Sequence, residues 1–211
     1  MTTTKNFDTI EEYVAFLRTE IEENPECANH HYNLGVALLT ARDWAGAEAA
    51  FLECIRNSSR FAEAYVQLGG ICMQRNDLEG CMQYNKEAAQ CRAKFPVPWA
   101  NMAFVHLQQG EAEEAIKCAT KALRWDPDFV QAQATIASAH YMLGELEDSE
   151  KVSMKAIAKY PTFAPAYNNL ALVALERGDF KVAIENVDKA LELGFEVDPG
   201  FLAELAPHRE A

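Results

Sequence analysis

The sequence predicts an all-α solenoid of five helix-turn-helix repeats, and three observations predict it. The tetrads Tyr32-Asn33-Leu34-Gly35, Val66-Gln67-Leu68-Gly69, Ala100-Asn101-Met102-Ala103, Ala134-Thr135-Ile136-Ala137 and Asn168-Asn169-Leu170-Ala171 follow one another in steps of 34 residues without an insertion. A turn pair recurs in the same phase as Arg42-Asp43, Asn76-Asp77, Gly110-Glu111, Gly144-Glu145 and Gly178-Asp179. Small residues recur at two more phases: Ala47, Cys81, Ala115, Ser149 and Ala183, then Cys54, Ala88, Ala122, Ala156 and Ala190. Small side chains at fixed phase let two helices cross closely.

The elements follow in order. Residues 7–27 read as an N-terminal capping helix: Thr9 and Glu12 fit a capping box, and Ile10, Tyr13, Val14, Leu17 and Ile21 recur at helical spacing before Pro25. Pro25 lies three periods ahead of Pro127, so this segment is in phase as a lone second helix. The repeats are 28–61, 62–95, 96–129, 130–163 and 164–197, and positions are counted from the first residue of each. Position 15, the first residue of the turn pair, needs the left-handed backbone that ends a helix; the acid at position 16 caps or charges the start of the next. Pro127 and Pro161 close repeats three and four, whereas Ser59 and Ala93 stand at the equivalent places in the first two. Asn85 replaces the apolar residue expected at position 24, which makes repeat two the least regular and the expected loosest. Asp198 and Pro199 then start a short helix with Phe201, Leu202 and Leu205 as its apolar stripe, halted by Pro207. Each hairpin is apolar on two faces and needs a neighbour to cover the second, so the ends need lids. No linker interrupts the chain, and a single domain over 1–211 is expected.

Charge narrows the partners. The formal net charge of −13 supplies no basic stripe for a phosphate backbone, so no nucleic acid is expected. Residues 1–27 carry two basic and seven acidic side chains and residues 195–211 one and four, so the acid gathers at the ends. No run of eighteen apolar residues occurs and no apolar core follows the start at Met1, so neither membrane insertion nor secretion is expected. Six cysteines without a C-x-x-C pair suit a compartment where thiols stay reduced, with no disulfides, and a cytoplasm of bacterial type is expected.

The spacing W-x2-L-G-x2-Y, A-x3-F, P resembles that of the tetratricopeptide repeat family over residues 28–197, with Trp99 the one tryptophan at position 4. The resemblance implies a right-handed superhelical solenoid whose first helices line a concave groove with positions 2, 5, 6, 9, 12 and 13. Position 6 holds Asn33, Gln67, Asn101, Thr135 and Asn169, a column that resembles the asparagine ladder of the O-linked N-acetylglucosamine transferase superhelix and can pair with a peptide main chain. Position 9 adds Val36, Gly70, Phe104 and Leu172, with Gly70 leaving room for a ligand backbone. Tyr32 at position 5 and Tyr141 at position 12 complete the candidate partner-binding set. Leu39, Met73, Leu107 and Leu175 share position 12 and are expected to be partly core. An apolar strip rimmed by amides suits a protein or peptide partner, with a second copy of the chain as the runner-up, as in magnetosome-associated members of the family. A regulatory or assembly subunit of an enzyme complex is the third reading. The cationic clamp that family members use on heat-shock chaperone tails is absent, since Tyr32, Val36, Val97 and Asn101 occupy its positions.

Chemistry beyond binding is not expected. Cys72, His106 and His140 share position 11, but equivalent sites on neighbouring helices lie about 8 to 10 Å apart, too far for one zinc with bonds of about 2 Å. They are read as buried packing residues, and Cys27, His30 and His31 as exposed residues at a helix entrance. No nucleophile, phosphate-binding or dinucleotide motif occurs, so the chain is expected to be no enzyme and to need no cofactor or metal.

Overall fold

The computed structural model describes residues 7–209, in which twelve α-helices and one 3₁₀ turn account for the regular structure and no strand occurs among the described residues. The helices are α1 (Ile10–Glu23), α2 (Ala28–Thr40), α3 (Trp44–Asn57), α4 (Ala62–Gln74), α5 (Leu78–Cys91), α6 (Pro96–Gln108), α7 (Ala112–Trp125), α8 (Val130–Met142), α9 (Leu146–Lys159), α10 (Ala164–Glu176), α11 (Phe180–Glu192) and α12 (Pro199–Leu205). From α2 to α11 they alternate as the first and second helix of a repeat, as the 34-residue phase predicts. The chain divides into two compact units, Met1–Asn101 and Met102–Ala211, with the division inside α6.

Every first helix ends on the same turn. Position 15 has positive φ in all five repeats, at Arg42 (61°), Asn76 (59°), Gly110 (78°), Gly144 (75°) and Gly178 (74°). This lets the N–H of position 16 donate back to the C=O of position 11, as from Asp77 to Cys72 (2.8 Å) and from Glu145 to His140 (2.9 Å). The acid that follows acts in one of two ways. Asp43, Asp77 and Asp179 accept from the backbone N–H of Gly46, Gly80 and Val182 at 2.9, 2.8 and 3.1 Å, and so cap the next helix. Glu111 and Glu145, one methylene longer, make no cap bond and turn to the histidine five residues back.

In the first unit α1 packs on α2, and α2 to α5 pack in sequence. Its core joins Leu38, Ala47, Phe51 and Cys54 to Ala64, Leu68 and Ile71 of the next repeat. In the second unit α8 packs on both α9 and α10, and Phe201 and Leu205 of α12 close the end against a core that includes Ala171, Ala183 and Val187. Pro207 ends that lid as a 3₁₀ turn, where the His208 ring stacks on Phe180 at 3.5 Å. The small residues at positions 20 and 27 are all fully buried, as close helix crossing requires. The capping box at α1 is offset by one residue: Thr9 Oγ1 accepts from Glu12 N–H (3.2 Å), but Glu12 accepts from Asp8 N–H (3.1 Å) instead of Thr9.

Candidate functional site

The position 6 column divides. Asn33 is exposed and Gln67 half-buried, both on first helices of the first unit, and neither side chain is engaged by another residue. Asn101 donates its amide to Asn85 Oδ1 (3.0 Å), and Asn85 in turn donates to the Cys81 C=O (2.8 Å). Thr135 is buried and donates to Gln131 C=O (3.0 Å). Asn169 is 3% exposed, donates to Ala134 C=O (3.2 Å) and accepts from the Ser138 hydroxyl (3.0 Å), which ties α10 to α8. What reads in sequence as one ladder is thus two free amides and three polar side chains with internal partners.

The apolar candidates stand in the open. Val36 and Phe104 are each 38% exposed and Leu172 is half-buried; Met142, next to Tyr141 on α8 and outside the candidate set, is 48% exposed. A Cβ on Gly70 would meet nothing within 4 Å. Position 12 is half-buried throughout, at Leu39, Met73, Leu107, Tyr141 and Leu175, so it serves core and surface together. The Tyr32 ring stacks on Phe61 (4.9 Å) and lies 5.8 Å from Phe51, which fixes it in the core wall with one edge outward. Tyr141 donates its hydroxyl to Glu176 Oε1 (2.9 Å); burial first, and the adjacent carboxylate second, push its phenol up to about 12.

Two histidine readings need correction. His31 is buried, not exposed, and its Nε2 donates to the Pro25 C=O at 2.7 Å, while Cys27 caps α2 without a side-chain bond. His106 and His140 are not fully buried packing residues; each is bonded through Nδ1 at 2.6 Å to Glu111 and Glu145, and each side chain is 20% exposed. Asp148 brings a third ligand atom near His140 and Glu145, all within 4.8 Å. Both acids are exposed in or next to the first turn of α9, where the helix dipole favours negative charge, so the cluster has a structural reason.

The bond made by His31 belongs to a pattern that the sequence reading missed. Position 4 donates to the carbonyl of a proline six residues earlier in three places: His31 to Pro25, Gln133 to Pro127 (2.9 Å) and Tyr167 to Pro161 (2.9 Å). The signal was present as a donor side chain at fixed distance after each proline; three different residue types obscured it. Burial raises the Cys54 and Cys81 thiols to about 11 and pushes Cys72 and Cys91 up as well, which disfavours the reactive thiolate at these four positions.

Three sequence models, each described as tetratricopeptide repeat, match residues 10–60, 106–172 and 164–193, together more than half of the chain. The chain belongs to the tetratricopeptide repeat family. No curated protein matches its sequence. Among solved tetratricopeptide-type structures, YrrB, described as having an unusual peptide-binding site, is 18% identical with a TM-score of 0.67, covering 92% of this chain and 97% of its own. The PilF protein of Pseudomonas aeruginosa is 21% identical with a TM-score of 0.76, covering 96% and 90%. MamA of Desulfovibrio magneticus is 18% identical with a TM-score of 0.67, covering 79% and 94%. At these identities the likeness is one of fold. Tetratricopeptide repeats are in general non-catalytic modules that bind proteins or peptides. Among the described residues no helix is long and apolar enough to cross a membrane.

Proposed function

We propose that this chain is a non-catalytic cytoplasmic scaffold that holds a partner polypeptide on the faces of its first helices. The observation that carries the reading is that Val36, Phe104 and Met142 stand substantially exposed on first helices whose other sides are packed into the core. Large apolar side chains held in water on an ordered surface favour a polypeptide that covers them. In the first unit Asn33 and Gln67 are free to bond a peptide main chain, and Gly70 leaves space for that chain to approach. In the second unit Asn101's successors at position 6 are engaged, so Phe104, Tyr141, Met142 and Leu172 supply mainly apolar contact. The peptide-binding site described for YrrB supports the same kind of ligand.

Selection of a random peptide library on the purified chain tests the reading. Enriched peptides are expected to bind the native chain and to lose about tenfold or more in affinity with Val36→Glu or Phe104→Glu, since each change removes an apolar contact and introduces an unpaired charge. Unchanged affinity in both variants would remove the proposal.

A further inference from the structure

The second unit has a cavity on the side of α10 that the proposed inner face does not use. Leu170, Val173 and Ala174 of α10 and Arg177, the residue that caps its end, recur at the spacing of one helical face, turned away from Asn169, Leu172 and Glu176. With Glu150 and Met154 of α9 and Val182 and Asn186 of α11, they line a space of about 320 Å³. Its floor is apolar, with Val173 and Ala174 buried, and its walls include Met154 at 58% exposure and Val182 at 38%. Met154 sits on a well-formed helix, so its exposure is a property of the surface and not of a loose end.

The mouth is acidic. Glu150 and the cap residue Asp179 line it beside Arg177, whose guanidinium is already bonded to Glu150 (2.6 Å) and to Glu147 outside the lining (3.2 Å), so three carboxylates stand against this one guanidinium. A small polar ligand has no buried polar group to orient it here, whereas an aliphatic side chain finds a floor of its own kind. A second copy of the chain would bring its own net charge of −13 towards the same carboxylates. We propose that this cavity receives a leucine- or methionine-sized side chain of a partner polypeptide flanked by lysine or arginine, at a site separate from the inner face.

The test uses the full chain and short labelled peptides with one central leucine. A lysine-flanked peptide is expected to bind about tenfold or more tightly than the same peptide with serine at the centre, because one large apolar side chain is transferred from water. Val182→Arg is expected to abolish that difference while leaving the circular dichroism spectrum unchanged; Met154→Lys, at a still more exposed position, gives a second and independent reading. Phe104→Glu is expected to leave binding intact, which separates this site from the inner face. Equal binding of the leucine and serine peptides would show charge attraction alone and overturn the proposal. So would loss of binding with Phe104→Glu only, or concentration-dependent growth in mass that Met154→Lys removes, which would assign the cavity to self-association.

Discussion

Gly35 lies against the ring of Phe51, so close that a Cβ on the glycine would meet Phe51 Cε1 at 2.5 Å. The same pair of positions in repeat two joins Gly69 to Asn85, where a Cβ would meet the amide nitrogen at 2.4 Å. In the last three repeats position 8 is Ala103, Ala137 and Ala171, and position 24 shrinks to Ala119, Ser153 and Val187, all buried. Size at one position is offset by size at the other, which is how close-packed helices conserve volume. Gly35→Ala is therefore expected to destabilise the chain by about 1–3 kcal/mol, because the ring is enclosed and cannot move aside. Adding Phe51→Leu is expected to recover part of that loss, measured as urea midpoints in a double-mutant cycle; strict additivity would mean that the two residues do not share the space.

The left-handed turn can be tested in both directions. Arg42 and Asn76 hold positive φ where the other three repeats have glycine. Arg42→Gly and Asn76→Gly are expected to leave stability unchanged or raise it by up to about 1 kcal/mol, while Gly144→Ala lowers it by about 1 kcal/mol, since only the side chain opposes this backbone. Thermal unfolding of the three variants checks the sign of each.

Repeat four holds two hydroxyls that work against its packing. Ser149 Oγ and Ser153 Oγ are buried one helical turn apart on α9 and make no hydrogen bond. Ser149→Ala and Ser153→Ala are each expected to stabilise by about 1 kcal/mol, the desolvation cost of a buried unpaired polar group. Lower stability in either variant, read from urea midpoints, would show that the hydroxyl has a partner after all.

These tests also mark what the sequence made legible. The period, the turns and the small residues at positions 20 and 27 repeat one chemical demand in every copy, so position alone revealed them. Repeat two was expected to be loosest because Asn85 breaks the apolar pattern, yet Asn85 is enclosed with both its amide and its carbonyl bonded, through Cys81 and Asn101. Of the buried polar atoms without a partner among the described residues, His30 Nδ1 lies in repeat one and two lie in repeat four, where the serines pass for ordinary small residues. The amide column misled for a related reason: residue type at position 6 repeats, but whether a neighbour such as Ser138 or Asn85 takes up the amide depends on pairs far apart in the chain. Asn169→Ala is therefore expected to cost about 1–3 kcal/mol of stability by orphaning buried partners, whereas Asn33→Ala is expected to leave stability within about 0.5 kcal/mol and weaken peptide binding. Calorimetry with a selected peptide, run beside urea unfolding, separates the two effects.

Alkaline pH is expected to loosen the first unit. Burial, the largest cause, raises Cys54 and Cys81 from the ordinary thiol value of 9.0 to about 11 in the folded chain. Below pH 9 both states keep these protons and stability is unaffected. Between pH 9 and about 11 the unfolded chain releases them first, so unfolding is favoured increasingly as pH rises through that window. The urea midpoint is expected to fall from pH 8.5 to pH 10.5, and less steeply in Cys54→Ala, whatever that variant's own stability at pH 8. In the same window a thiol reagent is expected to react with the half-exposed Cys27 and Cys91 in the native state, and with Cys54 and Cys81 only at the rate of unfolding. Rapid native-state labelling of Cys54 would show that its burial, and with it the cause of the pH dependence, is absent.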